Sequence, residues 1–222
     1  MKATHNTAQP GHVLKAKNVD KWFGHGLKKN VVLDNVNVEA RPGEVLAISG
    51  PSGAGKTTLL HILAGIDRAN RGHVQSAGRI DRGFIFQDYN LLESLNASHN
   101  ALLAARLQGT RPSKKQLRAV FEELGLKGLE SRLPHELSGG QQQRVAVARV
   151  LLAGNSFIFA DEPTGALDSE SSAMVLNQLR TVANHGATVV LVSHSHAAIK
   201  VADRHIVLQP AVAGQDGERS CR

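Results

Sequence analysis

A glycine-rich loop at residues 50–58, GPSGAGKTT, has the most specific spacing of chemical groups in the sequence. It fits the pattern G-x-x-x-x-G-K-[ST], follows the apolar run EVLAISG and precedes the helical run TTLLHILAGI, as that pattern requires. Glycines let backbone N–H groups surround phosphate oxygens, and the start of the following helix adds positive potential. Lys56 would contact the terminal phosphates, and the Thr57 hydroxyl would bind magnesium. The alternative is a glycine-rich strand-to-helix turn with an incidental lysine.

The loop therefore predicts that the chain binds a nucleoside triphosphate together with Mg²⁺. Its predicted ligands are Gly50, Pro51, Ser52, Gly53, Ala54, Gly55, Lys56, Thr57 and Thr58.

Two carboxylates end the apolar run FIFADE at residues 157–162. Adjacent residues of a strand point to opposite sides, so Asp161 and Glu162 should have different roles. Asp161 is suited to holding Mg²⁺ through water, and Glu162 is suited to polarising the water that attacks a γ-phosphate. The alternative is a pair of surface acids at the end of a strand.

A polar octet, LSGGQQQR at residues 137–144, stands directly before an apolar helical run. Ser138, Gly139 and Gly140 lie where that helix should begin, and a helix start offers unpaired N–H groups and a favourable dipole to an anion. One chain already has a complete phosphate loop. A second anion-binding helix start is therefore redundant, unless it serves a nucleotide held by another copy.

Together these motifs resemble those of ABC-type ATPases. The loop GPSGAGKTT, FQ at 86–87, the signature LSGGQQQR, FIFADEP, ALD at 166–168 and SH at 193–194 occur in that family's order, and the match covers roughly residues 12–208. In this family two nucleotide-binding domains close head to tail around two ATP molecules. The resemblance implies that Ser138 and Gly140 act on the partner's γ-phosphate, with Gly139 and Gln141 in the same ATP site.

The resemblance also assigns single residues to hydrolysis. Gln87 corresponds to the glutamine that contacts magnesium and the attacking water and that senses the membrane partner; otherwise it is a polar residue at a strand edge. His194 corresponds to the histidine that contacts the γ-phosphate, with a structural histidine as the alternative. The chain reads SHSH here, which makes His196 a second but weaker candidate.

Two further positions correspond to the dimer and to the base of the nucleotide. Asp168 belongs to the loop that couples the two sites across the dimer, although it could serve only as the N-cap of the next helix. Phe23 corresponds to the aromatic residue that stacks on adenine, a contact worth about 1–3 kcal/mol by analogy with base–aromatic stacking. Trp22 is its rival, and we expect the one that is not used to be core.

The order of elements predicts an α/β fold: a P-loop NTPase core with a mostly parallel sheet, an antiparallel β lobe and an inserted helical lobe. Runs 12–19 and 31–38 alternate in hydropathy, as half-exposed antiparallel strands do, whereas 44–50, 157–162, 188–194 and 205–209 are apolar and indicate buried strands. Ser113 is a plausible N-cap in the helical part.

We expect one domain over residues 1–222. Its parts would be a core with the antiparallel lobe at 12–93 and 146–208, a helical lobe with the signature at 94–145, and a loose tail at 211–222. Lys56 and Gln87 are closer in sequence than in many relatives, which predicts a reduced antiparallel lobe between them.

Composition limits the class of protein. An apolar content of 41% over 222 residues supports a core, and the single cysteine, Cys221, excludes disulfides and cysteine-ligated zinc. The sequence has no apolar run of 18 residues, and its N-terminus lacks the apolar core of a secretory signal. A cytoplasmic protein follows.

The net charge is +7, and the segment 106–132 holds seven Lys or Arg against three Glu. This basic segment is either an ordinary solvated helix face or one that meets the anionic cytoplasmic membrane face.

These features favour an ATP-hydrolysing subunit, a homodimer around two ATP that drives separate membrane permease subunits from the cytoplasmic face of the membrane. The run PTGALD resembles the branch with lipoprotein-release, macrolide-export and cell-division ATPases. A DNA-associated ABC-type ATPase and a regulatory subunit without turnover are the alternatives. We expect no nucleic-acid partner, because the long coiled coils and zinc-binding cysteines of the DNA-repair relatives are missing.

Overall fold

The computed structural model describes residues 13–76 and 81–211. Its eight strands are β1 to β8 in chain order: Leu14–Phe23, Asn30–Ala40, Val45–Ser49, Arg71–Ser76, Arg82–Ile85, Phe157–Asp161, Thr188–Val192 and Arg204–Val207. Six α-helices, α1 to α6, are Lys56–Ala64, Ala97–Leu107, Lys114–Glu123, Gly139–Ala153, Ser169–Asn184 and His196–Val201. Within these ranges we find no helix with the length and apolar character needed to cross a membrane.

Five strands form a parallel sheet in the order β5-β6-β7-β3-β8. The three central strands are buried on both faces, because their side chains alternate between two apolar clusters. In β3, for example, Val45 and Ala47 belong to one cluster, whereas Leu46 and Ile48 belong to the other. The predicted α/β core with a mostly parallel sheet is confirmed.

The two clusters correspond to the two lobes. The first joins the sheet to α2, α4 and α5 and contains the fully buried Phe121 of α3. The second joins the sheet to α1 and to a three-stranded antiparallel sheet in the order β2-β1-β4. Residues 77–80, which follow β4, lie outside the described residues.

Local signals explain where the helices of the first cluster begin. Ser113 accepts a hydrogen bond from the Gln116 backbone N–H at 3.2 Å, and the Gln116 side chain accepts one from the Ser113 N–H at 2.8 Å, which is a complete capping box. The predicted N-cap is therefore present. α4 runs without a break through position 145, so the lobe boundary predicted at 145/146 falls inside a helix.

One strand differs from its prediction. The run 205–209 was expected to be a buried strand, but β8 is the edge of the sheet and its residues are half-buried or exposed. An edge strand is covered by only one neighbour, so its apolar residues do not guarantee burial. Residues 212–222, which include Cys221 and nearly all of the predicted tail, lie outside the described residues.

Candidate functional site

The motifs predicted to act together follow the carboxyl ends of neighbouring strands. Asp161 of β6 pairs with Val192 of β7, and Val192 pairs with Ile48 of β3. The residues that come next in each strand therefore meet at one edge of the sheet, where ligands of parallel α/β sheets collect.

The phosphate loop joins β3 to α1 through glycines in the left-handed region. Gly53 has a φ of 78° and Gly55 a φ of 86°, and a Cβ at Gly55 would lie only 2.8 Å from side-chain atoms of Val32 and Leu33. Only glycine meets both demands at Gly55 without strain. A Cβ at Gly53 would meet nothing within 4 Å, so that side of the loop faces open space.

The start of α1 is prepared for an anion. Gly55 is its N-cap, no side chain caps the helix, and its first turn contains no acidic residue. The Lys56 ammonium donates to the carbonyls of Gly50 and Pro51, both at 2.9 Å, so the charge lies over the loop. Open N–H groups, a helix dipole and a fixed cation are the donors that a polyphosphate needs.

A cleft of about 640 Å³ lies beside this edge and brings three predicted residues together: Gln87, Glu162 and His194. The Nε2 atom of His194 lies 3.7 Å from Oε1 of Glu162. Gln87 is exposed and Glu162 is half-buried. The cleft therefore combines a carboxylate, an imidazole and an amide, which are groups that can orient and polarise water.

Glu162 reaches this cleft through a turn and not through strand alternation. β6 ends at Asp161, and Glu162 has a φ of 46°, a left-handed conformation that is uncommon outside glycine. Its N–H donates to the Val192 carbonyl at 3.0 Å, and its carbonyl accepts from the Gly165 N–H at 3.1 Å. Asp161 and Glu162 therefore lie in different surroundings, but the alternation of side chains along a strand is not the reason, because Glu162 lies beyond the end of β6.

Asp161 is buried at the end of β6, whereas Thr57 is exposed in the first turn of α1. No cluster of three or more His, Cys, Asp or Glu able to hold a metal occurs in residues 13–76 and 81–211. Mg²⁺ usually keeps several waters and is bound through one or two carboxylates together with substrate phosphates, and the carboxylate of Asp161 and the hydroxyl of Thr57 are oxygen ligands of the kind it takes.

The start of α4 has the opposite arrangement from α1. Ser138 Oγ accepts from the Gln141 backbone N–H at 3.3 Å, and the Gln141 side chain accepts from the Ser138 N–H at 2.9 Å. Gly139 and Gly140 leave room for neighbours, because a Cβ on them would lie 3.0 Å from the Tyr89 hydroxyl and 3.2 Å from a Leu167 methyl. Ser138 is exposed and is not among the residues that line the cleft in the described structure.

Asp168 is the N-cap of α5 and also reaches the signature helix indirectly. Its carboxylate accepts from the Ser171 N–H at 2.8 Å and from the Ser171 hydroxyl at 2.9 Å, and these bonds lower the pKa of the Asp168 carboxyl below its usual value. The Arg144 guanidinium of α4 donates to the same hydroxyl. Asp168 therefore does act as an N-cap, the alternative given above, and it is also connected to α4 through the Ser171 hydroxyl.

The aromatic pair at the end of β1 lies near the phosphate loop. β1 pairs with β2 there, with Trp22 opposite Val31, and the loop packs on the next residue of β2, Val32. Phe23 is 49% exposed, as a stacking platform must be. Trp22 is half-buried between the charges of Lys29 and Arg71, with the Lys29 ammonium 4.5 Å from its ring, so the expectation that the unused partner is core was wrong.

Several residues of the cleft were missed by sequence reasoning: Asp88, Tyr89, Gln143, Gly165 and Ala166. Gln143 is the most unusual of them, because its side chain is buried and neither amide atom has a hydrogen-bond partner. A third consecutive glutamine in an otherwise apolar helix face was the available signal. His196, the second candidate histidine, is exposed at the start of α6 and does not line the cleft.

The chain is similar to known proteins both in sequence and in fold. The ABC transporter family matches residues 33–165. An uncharacterised ABC transporter ATP-binding protein of Methanocaldococcus jannaschii is 41% identical over 214 residues, which are 89% of this chain and 96% of that protein. The macrolide export ATP-binding/permease protein MacB of Marinobacter nauticus is 40% identical over 215 residues, again 89% of this chain.

The chain spans about a third of the length of the macrolide-export relatives that it matches (33%). Among solved structures, the ATP-binding cassette MJ0796, a dimer in a post-hydrolysis state with bound ADP and Pi, matches with a TM-score of 0.80 and 32% identity. That match covers 89% of this chain and 96% of the other.

Proposed function

The chain belongs to the ABC transporter family, and from that premise we propose that it is an ATP-hydrolysing subunit that dimerises around two ATP and drives membrane permease subunits. The observation that carries the proposal is the convergence of Gln87, Glu162 and His194 in one cleft, at the sheet edge where the phosphate loop begins.

Binding of ATP begins at the phosphate loop. The loop 50–58, apart from Pro51, supplies backbone N–H groups, and Lys56 exchanges its contacts with the loop carbonyls for the terminal phosphates, because a charged oxygen is a stronger acceptor than a carbonyl. The exposed ring of Phe23 stacks on the adenine base. These contacts come from one subunit and hold the substrate in place for attack.

Hydrolysis is phosphoryl transfer to water, in which the protein mainly positions groups and neutralises charge. Glu162 accepts hydrogen bonds from the attacking water, and His194 and Gln87 orient the γ-phosphate and the water from the other sides of the cleft. Thr57, Gln87 and Asp161 would hold Mg²⁺ together with the phosphates, and the ion would supply neutralisation of the negative charge that develops during the transfer.

The signature helix acts on the partner subunit's nucleotide. Ser138, Gly139, Gly140 and Gln141 form a second anion-binding helix start in the chain, and Ser138 is exposed and outside the cleft lining. A second copy related by a two-fold axis would bring this helix start to the triphosphate on the first copy's loop. Asp168, bonded to α4 through Ser171, then links one site to the other.

Membrane subunits are the proposed partners, and the cytoplasmic face of the membrane is the proposed location. The relatives include export proteins whose names join an ATP-binding part to a permease. We therefore assign the chain to the branch with macrolide-export and lipoprotein-release ATPases. The basic segment 106–132 would face the anionic surface, where each Lys or Arg contributes about 1 kcal/mol.

A DNA-associated ATPase is the alternative function, and one experiment separates the two. The purified chain is assayed for phosphate release with Mg²⁺ and ATP at physiological salt, with and without duplex DNA, and for dimers by light scattering with ATP or ADP. We expect hydrolysis and ATP-dependent dimers that DNA does not change. Stimulation by DNA at that salt would favour the alternative. Non-specific contacts with DNA phosphates weaken steeply as salt rises, so an effect that persists at physiological salt would indicate a functional DNA complex. Absence of phosphate release would reject the proposed enzyme.

A further inference from the structure

The loop that begins at Gln87 contains two consecutive residues with left-handed backbone conformations. Tyr89 has a φ of 57° and Asn90 a φ of 48°. Such conformations cost on the order of 1–3 kcal/mol each, least for Asn and more for a bulky residue such as Tyr. The loop persists only if surrounding contacts hold it. Its shape also sets where Gln87, two residues before Tyr89, lies in the cleft.

One side chain of α4 makes those contacts. Arg149 donates from Nη1 to the Asn90 carbonyl at 2.6 Å and from Nη2 to the Tyr89 carbonyl at 3.0 Å. The guanidinium presents these donors in a rigid planar fork, so a single group fixes both strained residues at once. A lysine, with a point charge on a flexible stem, cannot reproduce that geometry.

The partly buried charge of Arg149 is not what folding stability alone would favour at this position. It is half-buried, and desolvation lowers the pKa of its guanidinium. In the described parts of the chain it forms no ion pair, and it donates to the backbone carbonyls of Tyr89 and Asn90. A desolvated charge without a carboxylate costs free energy, which its hydrogen bonds to the loop offset.

The same loop also touches the start of α4. The Tyr89 hydroxyl lies 3.0 Å from the position of a Cβ on Gly139, while the Tyr89 carbonyl binds Arg149. These two helix positions are about 15 Å apart along the axis at the usual rise. Leu91 packs on the apolar cluster that contains α4. The loop therefore contacts α4 at two positions, in its first turn at Gly139 and further along the helix at Arg149.

We propose that Arg149 is a positioning residue for hydrolysis: it holds residues 87–91 on α4, so that the helix whose first turn receives the partner's ATP also sets the position of Gln87 in its own cleft. This inference rests on the proposed function, in which Gln87 orients the water and magnesium. Arg149 would be the group that couples the two sites. When the partner's nucleotide binds the first turn of α4, Arg149 would transmit the change to Gln87 in the cleft of its own subunit.

The first test uses the full chain and three variants. Arg149→Met should lower kcat for ATP hydrolysis about ten- to a hundredfold, the equivalent of losing charged hydrogen bonds, while KM for ATP changes less than about twofold because the phosphate loop is untouched. Arg149→Lys should lie between Met and the wild type. Arg180→Met is the control, because the Arg180 guanidinium, on α5, also donates to a backbone carbonyl, that of Gly43 at 3.0 Å, in addition to pairing with Asp203.

Relief of strain gives an outcome that a purely structural role would not produce. Asn90→Gly removes the cost of one left-handed residue, because glycine adopts it freely. In the Arg149→Met background it should restore kcat at least threefold, while in the wild type it should change kcat little. A folded Arg149→Met protein with normal kcat, or a kcat loss that Asn90→Gly leaves unchanged, overturns the proposal.

Amide hydrogen exchange separates failure of this inference from failure of the proposed function. Exchange of residues 87–91 should become faster in Arg149→Met and Arg149→Lys, and not in Arg180→Met, whether or not the chain hydrolyses ATP. Unchanged exchange at 87–91 overturns the inference. Absence of hydrolysis in the wild type together with faster exchange in Arg149→Met would reject the enzyme and leave the contact between Arg149 and the loop supported.

Discussion

Two glycine-containing helix starts in this chain, those of α1 and α4, are both proposed to bind a phosphate chain, yet they are built differently. α1 begins after Gly55, and no side chain caps it. α4 begins after Ser138, whose side chain and that of Gln141 cap each other's backbone N–H groups. The first start is open, whereas the second has already satisfied part of its hydrogen-bonding capacity.

This difference indicates an order of events. A triphosphate that meets α1 finds free N–H groups and a cation fixed over the loop, so binding there needs little rearrangement. A triphosphate that meets α4 must share or replace the capping bonds of Ser138, which are worth about 1 kcal/mol. ATP should therefore bind first in its own subunit, and closure of the dimer should be the weaker and more easily reversed step.

The largest expected effect is on the rate of ATP hydrolysis, and it comes from blocking cleavage while the starts of α1 and α4 still hold the triphosphate between two subunits. Glu162→Gln should reduce ATP hydrolysis by roughly 10²–10⁴, the range for loss of a general base, and leave ATP binding intact. Dimers should then accumulate with ATP and Mg²⁺, which light scattering would detect. Wild-type turnover in this variant would mean that Glu162 does not polarise the water.

Separate damage to each helix start tests the order of binding. Lys56→Ala should weaken ATP binding to the monomer by about ten- to a hundredfold, the equivalent of 1.5–3 kcal/mol for a charged hydrogen bond. Ser138→Arg should leave monomer binding unchanged and abolish ATP-dependent dimers, because a bulky side chain blocks closure. Calorimetry and light scattering measure the two effects. Dimer formation by Ser138→Arg would contradict the trans role of α4.

The glycines of the two starts should differ in what they tolerate. Gly55→Ala forces a Cβ into the left-handed region and against Val32 and Leu33, so it should lower the free energy of unfolding by about 1–3 kcal/mol. Gly139→Ala is in a helix and meets only the hydroxyl end of the Tyr89 side chain, so its effect should stay within about 0.5 kcal/mol. Urea unfolding checks both, and equal losses would show that backbone conformation does not distinguish the two glycines.

The smallest effect distinguishes a cap from a ligand. Ser138→Ala and Ser113→Ala each remove a serine from a Ser–Gln capping box, so each should cost about 0.5–2 kcal/mol of unfolding free energy. Only Ser138→Ala should also weaken the ATP-dependent dimer, since Ser113 starts a different helix, α3. If the two variants dimerise equally well, the Ser138 hydroxyl serves only as a cap.

The sequence by itself determined the chemistry of the motifs, because each one depends on residues close together in the chain. Spacing and hydropathy were enough to predict the loop around Lys56, the N-cap at Ser113, the helix start at Ser138 and the buried strands at the centre of the sheet. The parallel sheet also followed, since strands buried on both faces need helices on both sides. Local hydropathy and capping decide these features before any distant contact forms.

Only the tertiary structure decided what lies between the motifs. Three features depend on which strands are neighbours and on how α4 packs. They are the left-handed turn at Glu162, the buried amide of Gln143 and the hydrogen bond from Arg149 to the Tyr89 carbonyl. Strand order also made β8 an edge. Hydropathy periodicity reports that a residue is covered, but not by which element, so contacts between distant segments leave no local signal.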